Sequence, residues 1–203
     1  VINGNGNDQG RLYLFGPVED FTVGGQELWI DNICPESCCI DFESLALSKQ
    51  YNAYDFAYDS GARIDVLPFT WSNGTVFSGG HATVVAGGLA GGTGKEMHVN
   101  NVNLSFDFGV PFKALTLLFG EYGGNMNIQI NGDFRNFANL TDIDGITIGG
   151  VNVSITNGYG NDTGHLELAG TTHQFFIGGQ ELWIDNVCVD RLETVYLPLV
   201  LKP

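Results

Sequence analysis

The chain has 203 residues and a formal net charge of −15, with 29 glycines, only eight lysines and arginines together, and two methionines. That charge excludes electrostatic capture of nucleic acid or anionic lipid as a main activity and leaves cations, neutral glycans and other proteins as partners. No apolar run approaches the roughly twenty residues of a membrane-spanning helix; the longest is Val195–Leu201, so no membrane insertion is expected.

The chain begins with a segment that returns later. Residues 1–34 align without a gap on 155–188, with about twenty of the thirty-four positions identical. The match is densest in Gly24-Gly-Gln-Glu-Leu-Trp-Ile-Asp-Asn-Ile-Cys34, repeated at 178–188 with one Ile/Val exchange. Two short strands cannot bury a core alone, so the first copy must find partners elsewhere. These are an upstream domain, this chain's own sheet or a neighbouring subunit. A repeat this long suits whole domains in tandem rather than a solenoid. We therefore divide the chain into a partial copy at 1–34, a domain at 39–188 and a tail at 189–203.

Cys34-Pro-Glu-Ser-Cys-Cys39 reads as a linker, and Ile40–Leu45 alternates like a half-buried strand. Gln50–Ser60 is rich in tyrosine and ends in a turn, and Arg63–Phe69 is a strand with Ile64 and Val66 on one face. Trp71–Gly80 reads as a loop or hairpin, Ala82–Ala86 as a strand and Gly87–Gly94 as a surface loop. The Gly91-Gly-Thr-Gly-Lys95 segment lacks the spacing and following helix of a phosphate-binding loop. Leu104, Phe106 and Phe108 alternate with polar residues, while Ala114–Phe119 is almost continuously apolar and reads as a strand buried on both sides. Met126–Ile130 alternates and leads into Asn131-Gly132, a hairpin signal. Strands follow around Gly149-Gly150, at Leu166–Leu168, at Phe175–Ile177 and at Leu182–Val187. No stretch has helical periodicity. Glycine together with aromatic and β-branched residues on short runs predicts an all-β, jelly-roll-like antiparallel β-sandwich. To it are added the N-terminal partial repeat and an apolar C-terminal strand, Val195-Tyr-Leu-Pro-Leu-Val-Leu201. Such a strand left open would aggregate, so Val195, Tyr196, Leu197, Leu199, Val200 and Leu201 are expected to dock.

Four cysteines, Cys34, Cys38, Cys39 and Cys188, in a glycine-rich acidic β chain favour disulfides and an extracellular location. Their spacing is poor for zinc. Pairing Cys39 with Cys188 would staple the domain's first strand to its last and leave Cys34 with Cys38. Cys38–Cys188 and a bond between chains are the alternatives. The start of the chain shows no signal-peptide pattern, so a secreted form is expected to have been processed.

Cys39-Ile-Asp-Phe-Glu43 at the front, with Gly178–Cys188 at the back, resembles jelly-roll domains of large secreted bacterial surface proteins, over 39–188. The ending Val195-Tyr-Leu-Pro-Leu-Val-Leu-Lys202 resembles C-terminal tails of secreted proteins from filamentous Chloroflexota-type bacteria. Neither resemblance implies catalysis. Related sandwiches serve as carbohydrate-binding modules, adhesin repeats and subunits of extracellular fibres.

Asp41 and Glu43 fall on the predicted first strand, Glu181 and Asp185 on the last. If those strands pair, the four carboxylates converge at one sheet edge. The resemblance to carbohydrate-binding modules implies a structural Ca²⁺ there. The alternative is that they face water. Tyr51, Tyr54, Tyr58 and Trp71 are candidates for stacking on sugar rings, or else core residues. Asn73, Asn103, Asn139, Asn152 and Asn161 begin Asn-x-Ser/Thr sequons and are candidate glycosylation sites. His81, His98, His165 and His173 form no i, i+4 pair and no Gly-x-Ser-x-Gly elbow is present, so no enzyme activity is expected. The expected function is an extracellular structural subunit of a bacterial surface filament or sheath, polymerising with itself by strand donation. The alternative is a carbohydrate-binding or adhesive module of a multidomain protein.

Overall fold

The computed structural model describes residues 2–3, 10–11, 37–158 and 162–191. The chain divides into a smaller unit, 1–31 with 192–203, and a larger one, 32–191. In the smaller unit β1 (Ile2–Asn3) pairs antiparallel with β2 (Gly10–Arg11), Ile2 opposite Arg11.

The larger unit runs β3 (Ser37–Ile40), β4 (Gln50–Asn52), β5 (Phe56–Asp59), β6 (Ala62–Thr70), β7 (Val76–Phe77), β8 (His81–Ala86), β9 (Lys95–Asn100) and β10 (Val102–Asp107). It continues with β11 (Phe112–Gly123), β12 (Met126–Ile130), β13 (Asp133–Phe137), a 3₁₀ turn at Leu140–Ile143, β14 (Thr147–Ile148), β15 (Val151–Asn157), β16 (Thr163–Thr172), β17 (Phe175–Gly179) and β18 (Glu181–Arg191). The first sheet has the order β13-β12-β17-β10-β6-β5, with β7 also on β6. The second has β14-β15-β16-β11-β18-β9-β8-β4, with β3 on β18. All pairings are antiparallel, and the two sheets share one hydrophobic core. The chain is thus an all-β, jelly-roll-like sandwich, as its alternating runs predict.

Period-two patterning explains which face each strand buries. In β15, Val151, Val153 and Ile155 are buried while Asn152, Ser154 and Thr156 are exposed. Leu166 and Leu168 of β16 and Ile64 and Val66 of β6 meet them in the same core. Asn131-Gly132 makes the expected tight turn, with φ of 50° and 85°, and Gly149-Gly150 makes another at 56° and 80°. Two consecutive positive φ angles match the twist of flanking strands, which is why glycine and asparagine occupy these places.

Three local expectations change. The segment Ile40–Leu45 does not continue as a strand: β3 stops at Ile40, and Phe42 turns with φ 60°. The cause is Asp59 at the end of β5, whose Oδ2 accepts the N–H groups of Asp41 and Phe42 and whose Oδ1 accepts the Ser44 hydroxyl. This side chain takes the backbone donors a ladder would use and tucks the Phe42 ring fully into the core. In β11, Leu115, Leu117 and Phe119 are buried, but Ala114, Thr116 and Leu118 are only half covered, so the strand is not enclosed on both sides. β9 is not among the expected strands, although Glu96, His98 and Asn100 alternate with two apolar residues. Met97 and Val99 face the core.

The repeated segment holds the sandwich together. β17 lies between β12 and β10 in the first sheet, and β18 lies between β11 and β9 in the second. Only Gln180 separates them. A Cβ on Gly178 would fall 2.2 Å from the Val102 carbonyl oxygen, so the strand-to-strand crossing requires glycine there.

β3 pairs with β18 with Cys39 opposite Cys188, and the two are joined as a disulfide across 149 residues of sequence. Cys34 and the side chain of Cys38 lie outside the described residues. Closing so long a loop restricts the unfolded chain by about 4–5 kcal/mol on the chain-entropy account. Replacing both Cys39 and Cys188 by alanine should cost about 2–5 kcal/mol in guanidinium unfolding. An unchanged midpoint would show that the staple contributes no stability.

Candidate cation site and exposed aromatic shelf

The glycine-rich segment 87–94 crosses the outer face of the second sheet. Its base is closed by the Gly87 N–H donating to the Gly94 carbonyl at 2.6 Å. Its near half is held by Glu96, fully buried on β9, whose carboxylate accepts the N–H groups of Gly88, Leu89 and Ala90 at 3.1, 3.1 and 2.8 Å. The backbone lies so close to the sheet that side chains have no room. A Cβ on Gly120 of β11 would sit 1.9 Å from the Leu89 carbonyl oxygen, and one on Gly92 would sit 1.8 Å from Asp185 Oδ2.

Asp185 forms the floor beneath this loop. It is fully buried on β18; its Oδ1 accepts the Asn186 N–H at 2.7 Å, while Oδ2 has no hydrogen-bond partner. Burial pushes its carboxyl up to about 6; the Asn186 bond opposes that shift, and the negative charges of Glu96, Asp41 and Glu43 add to it. Glu43 Oε1 accepts the Lys95 N–H, and the Lys95 ammonium reaches back to the carbonyls of Glu43 and Leu45. The structure therefore brings Asp41, Glu43 and Asp185 into one electrostatic neighbourhood. Sequence reasoning missed Glu96, their fourth member, because β9 itself was not recognised. Glu181 does not join them: it is exposed at the start of β18, and the group that feels its charge is His98.

Among the described residues no three His, Cys, Asp or Glu side chains are placed to hold a metal ion by themselves. A buried carboxylate oxygen without a partner nonetheless fits a cation, since such an oxygen is costly unless paired. Ca²⁺ also accepts the backbone carbonyls that a glycine-rich loop offers. Among the described residues Asp185 Oδ2 is the buried carboxylate oxygen in that position.

The aromatic candidates separate. Tyr54 (76% exposed), Phe56 (51%) and Tyr58 (48%) stand out from the side of the sandwich. Tyr51 is half-buried and packs on the core. A shallow depression of about 260 Å³ is lined by Lys49, Tyr51, Tyr54, Asp55 and Phe56. Trp71 is not part of it: its ring stands edge-on to Phe69 at 5.2 Å and lies 6.3 Å from Phe77. Phe56 belongs to the shelf although it was not a candidate; its place between two tyrosines with the same strand spacing was the available signal.

The sequons also divide. Asn103 is 2% exposed and its amide donates to the Pro68 carbonyl at 2.6 Å, so the folded chain offers no acceptor there. Asn103 sits between Leu67 of β6 and Gly178 of β17, although its place beside the core residue Leu104 would point it outward by strand alternation. Asn73, Asn139 and Asn152 are exposed, and Asn161 lies outside the described residues.

A further buried acid, Glu121 of β11, is 5% exposed and its Oε2 accepts the Leu140 N–H at 2.7 Å. Burial raises its carboxyl from 4.5 to about 7, against the Leu140 bond and with help from Asp142. Because the folded pKa lies above the unfolded one, the fold binds the extra proton, and stability falls as pH rises from 4.5 to about 7. Glu121→Gln should remove a fall on the order of 3 kcal/mol from the urea-unfolding profile between pH 4.5 and 8. Identical profiles for variant and parent would refute this origin.

No family model matches the chain, and no curated protein or solved structure matches it.

Proposed function

We propose that this chain is an extracellular structural subunit of a surface filament or sheath that assembles head to tail by completing sheets between sandwiches. One observation carries the reading. In the described copy of the repeat, the strands of 155–188 pair with β9, β10, β11, β12 and β3. Those positions are filled by the second copy, and on this reading the first copy at 1–34 takes equivalent strands from another sandwich. Strand addition of this kind draws affinity from backbone hydrogen bonds and specificity from alternate side chains. A head-to-tail contact that does not close generates a fibre. The tail residues Val195–Leu201, which lie outside the described residues, are the second proposed docking element. The Cys39–Cys188 staple is compatible with an oxidising, extracellular setting. No helix among the described residues is long and apolar enough to cross a membrane. The role is mechanical rather than enzymatic.

We assign a structural Ca²⁺ to the Asp185 site, where it would neutralise the buried carboxylate under the glycine loop. Asp31 occupies the equivalent place in the first copy. Ca²⁺ should raise the melting temperature of the intact chain, and Asp185→Asn should abolish that rise; an equal rise in the variant would remove Asp185 from the site.

A second reading, a carbohydrate-binding or adhesive module of a larger protein, is favoured by the exposed Tyr54–Tyr58 shelf. Negative-stain electron microscopy under non-reducing conditions, with and without EDTA, separates the two. Filaments are expected for the intact chain and should disappear when residues 195–203 are deleted while the circular dichroism of the sandwich persists. Normal filaments from the truncated chain would sink strand donation by the tail, and monodisperse particles from the intact chain would favour the module.

A further inference from the structure

Tyr54 is a bulky aromatic residue held at φ 78°, with its N–H donating to the Val66 carbonyl at 2.7 Å and its ring 76% exposed. The left-handed region is costly for side chains other than glycine and asparagine, and such strain collects at functional positions. No burial offsets it here, because the ring faces solvent. Phe56, two residues on, is also exposed and is fixed in place: Tyr58 stands edge-on to it at 5.7 Å and the Arg63 guanidinium lies 4.6 Å from its centroid. The shelf is therefore aromatic and open, with the Phe56 ring held by Tyr58 and Arg63.

Its polar groups indicate the chemistry of the ligand. Lys49 lies 5.5 Å from the Tyr51 centroid and forms no ion pair among the described residues. Asp55 is oriented by the Asn52 N–H, which donates to its Oδ2 at 2.8 Å. A charged donor and a charged acceptor beside the same rings suit hydroxyl groups better than an apolar strand. At about 260 Å³ the depression is slightly smaller than enclosed ligand pockets, which suits a single ring stacked on an open surface. The net charge of −15 repels polyanions.

We infer that this shelf is a binding subsite for a neutral saccharide, in which a pyranose ring stacks on Tyr54 and Phe56 while Lys49 and Asp55 take its hydroxyls. The inference rests on the second of the two readings above and names its ligand class. It also extends the stacking set, adding Phe56 and leaving out Trp71.

Native affinity electrophoresis of the intact chain tests it, with soluble β-glucan, galactomannan and xylan as neutral probes and polygalacturonate as the anionic one. At least one neutral polysaccharide should retard the chain, and polygalacturonate should not. Tyr54→Gly relieves the backbone strain while deleting the ring. It should weaken retardation at least ten-fold while the melting temperature holds or rises; Phe56→Ala should weaken it similarly, and Trp71→Ala should leave it unchanged. No retardation by any neutral probe would overturn the inference, as would retardation by polygalacturonate alone or retardation that survives both Tyr54→Gly and Phe56→Ala. A concentration-dependent self-association abolished by Tyr54→Gly, without saccharide binding, would instead identify the shelf as a contact between copies. Filaments scored by microscopy on the same variants keep the outcome for assembly separate.

Discussion

The sandwich depends on one nearly continuous stretch of extended chain, 175–191, that serves both sheets. β17 and β18 are central strands of different sheets joined through a single residue, so the two layers are connected covalently at their middle. Every residue of β17 is buried, and Leu182, Ile184, Val187 and Val189 are the share of the core that β18 contributes. The crossing is possible because Gly178 carries no Cβ. The disulfide then fastens the far part of the same strand to β3. Few other segments of the chain could be removed with so large an effect on both layers.

That same strand carries a buried acid, Asp185. Asp185 faces out of the core but is roofed by the loop 87–94, and it keeps one oxygen unpaired. Glu96 beside it shows how such a charge can be accommodated, since three backbone N–H groups converge on its carboxylate. The contrast between the two neighbours is the reason a cation is proposed at Asp185. The first copy keeps an aspartate, Asp31, at the equivalent sequence position, within the same Leu-Trp-Ile-Asp-Asn segment.

The two proposed activities use separate parts of the molecule. The proposed assembly uses the repeat and the tail sequence. Saccharide binding draws on the exposed segment 49–58, where the rings of Tyr54, Phe56 and Tyr58 contribute little to the core. A left-handed tyrosine there reduces stability where no packing requires it, whereas Phe42 at φ 60° is offset by complete burial of its ring and by Asp59.

Alternation and turn chemistry in the sequence determined the fold class, because they depend only on local backbone geometry: β15, β16 and the turns at Asn131-Gly132 and Gly149-Gly150 follow directly from their residues. The pairing of Cys39 with Cys188 was among the readings that cysteine spacing allowed, and the register of β3 on β18 decided it. Tertiary structure alone decided the rest. Asp59, eighteen residues away from Asp41, ended the first strand by capturing its N–H groups. Glu96 became a loop anchor only once the glycines had folded over it, and its strand is interior because β8 and β18 pair on either side of it. Asn103 lost its outward position under neighbouring chain, Trp71 left the aromatic set for Phe69, and Phe56 entered it. In each case the deciding partner is distant in sequence, and burial is a property of the assembled surface that no local pattern records.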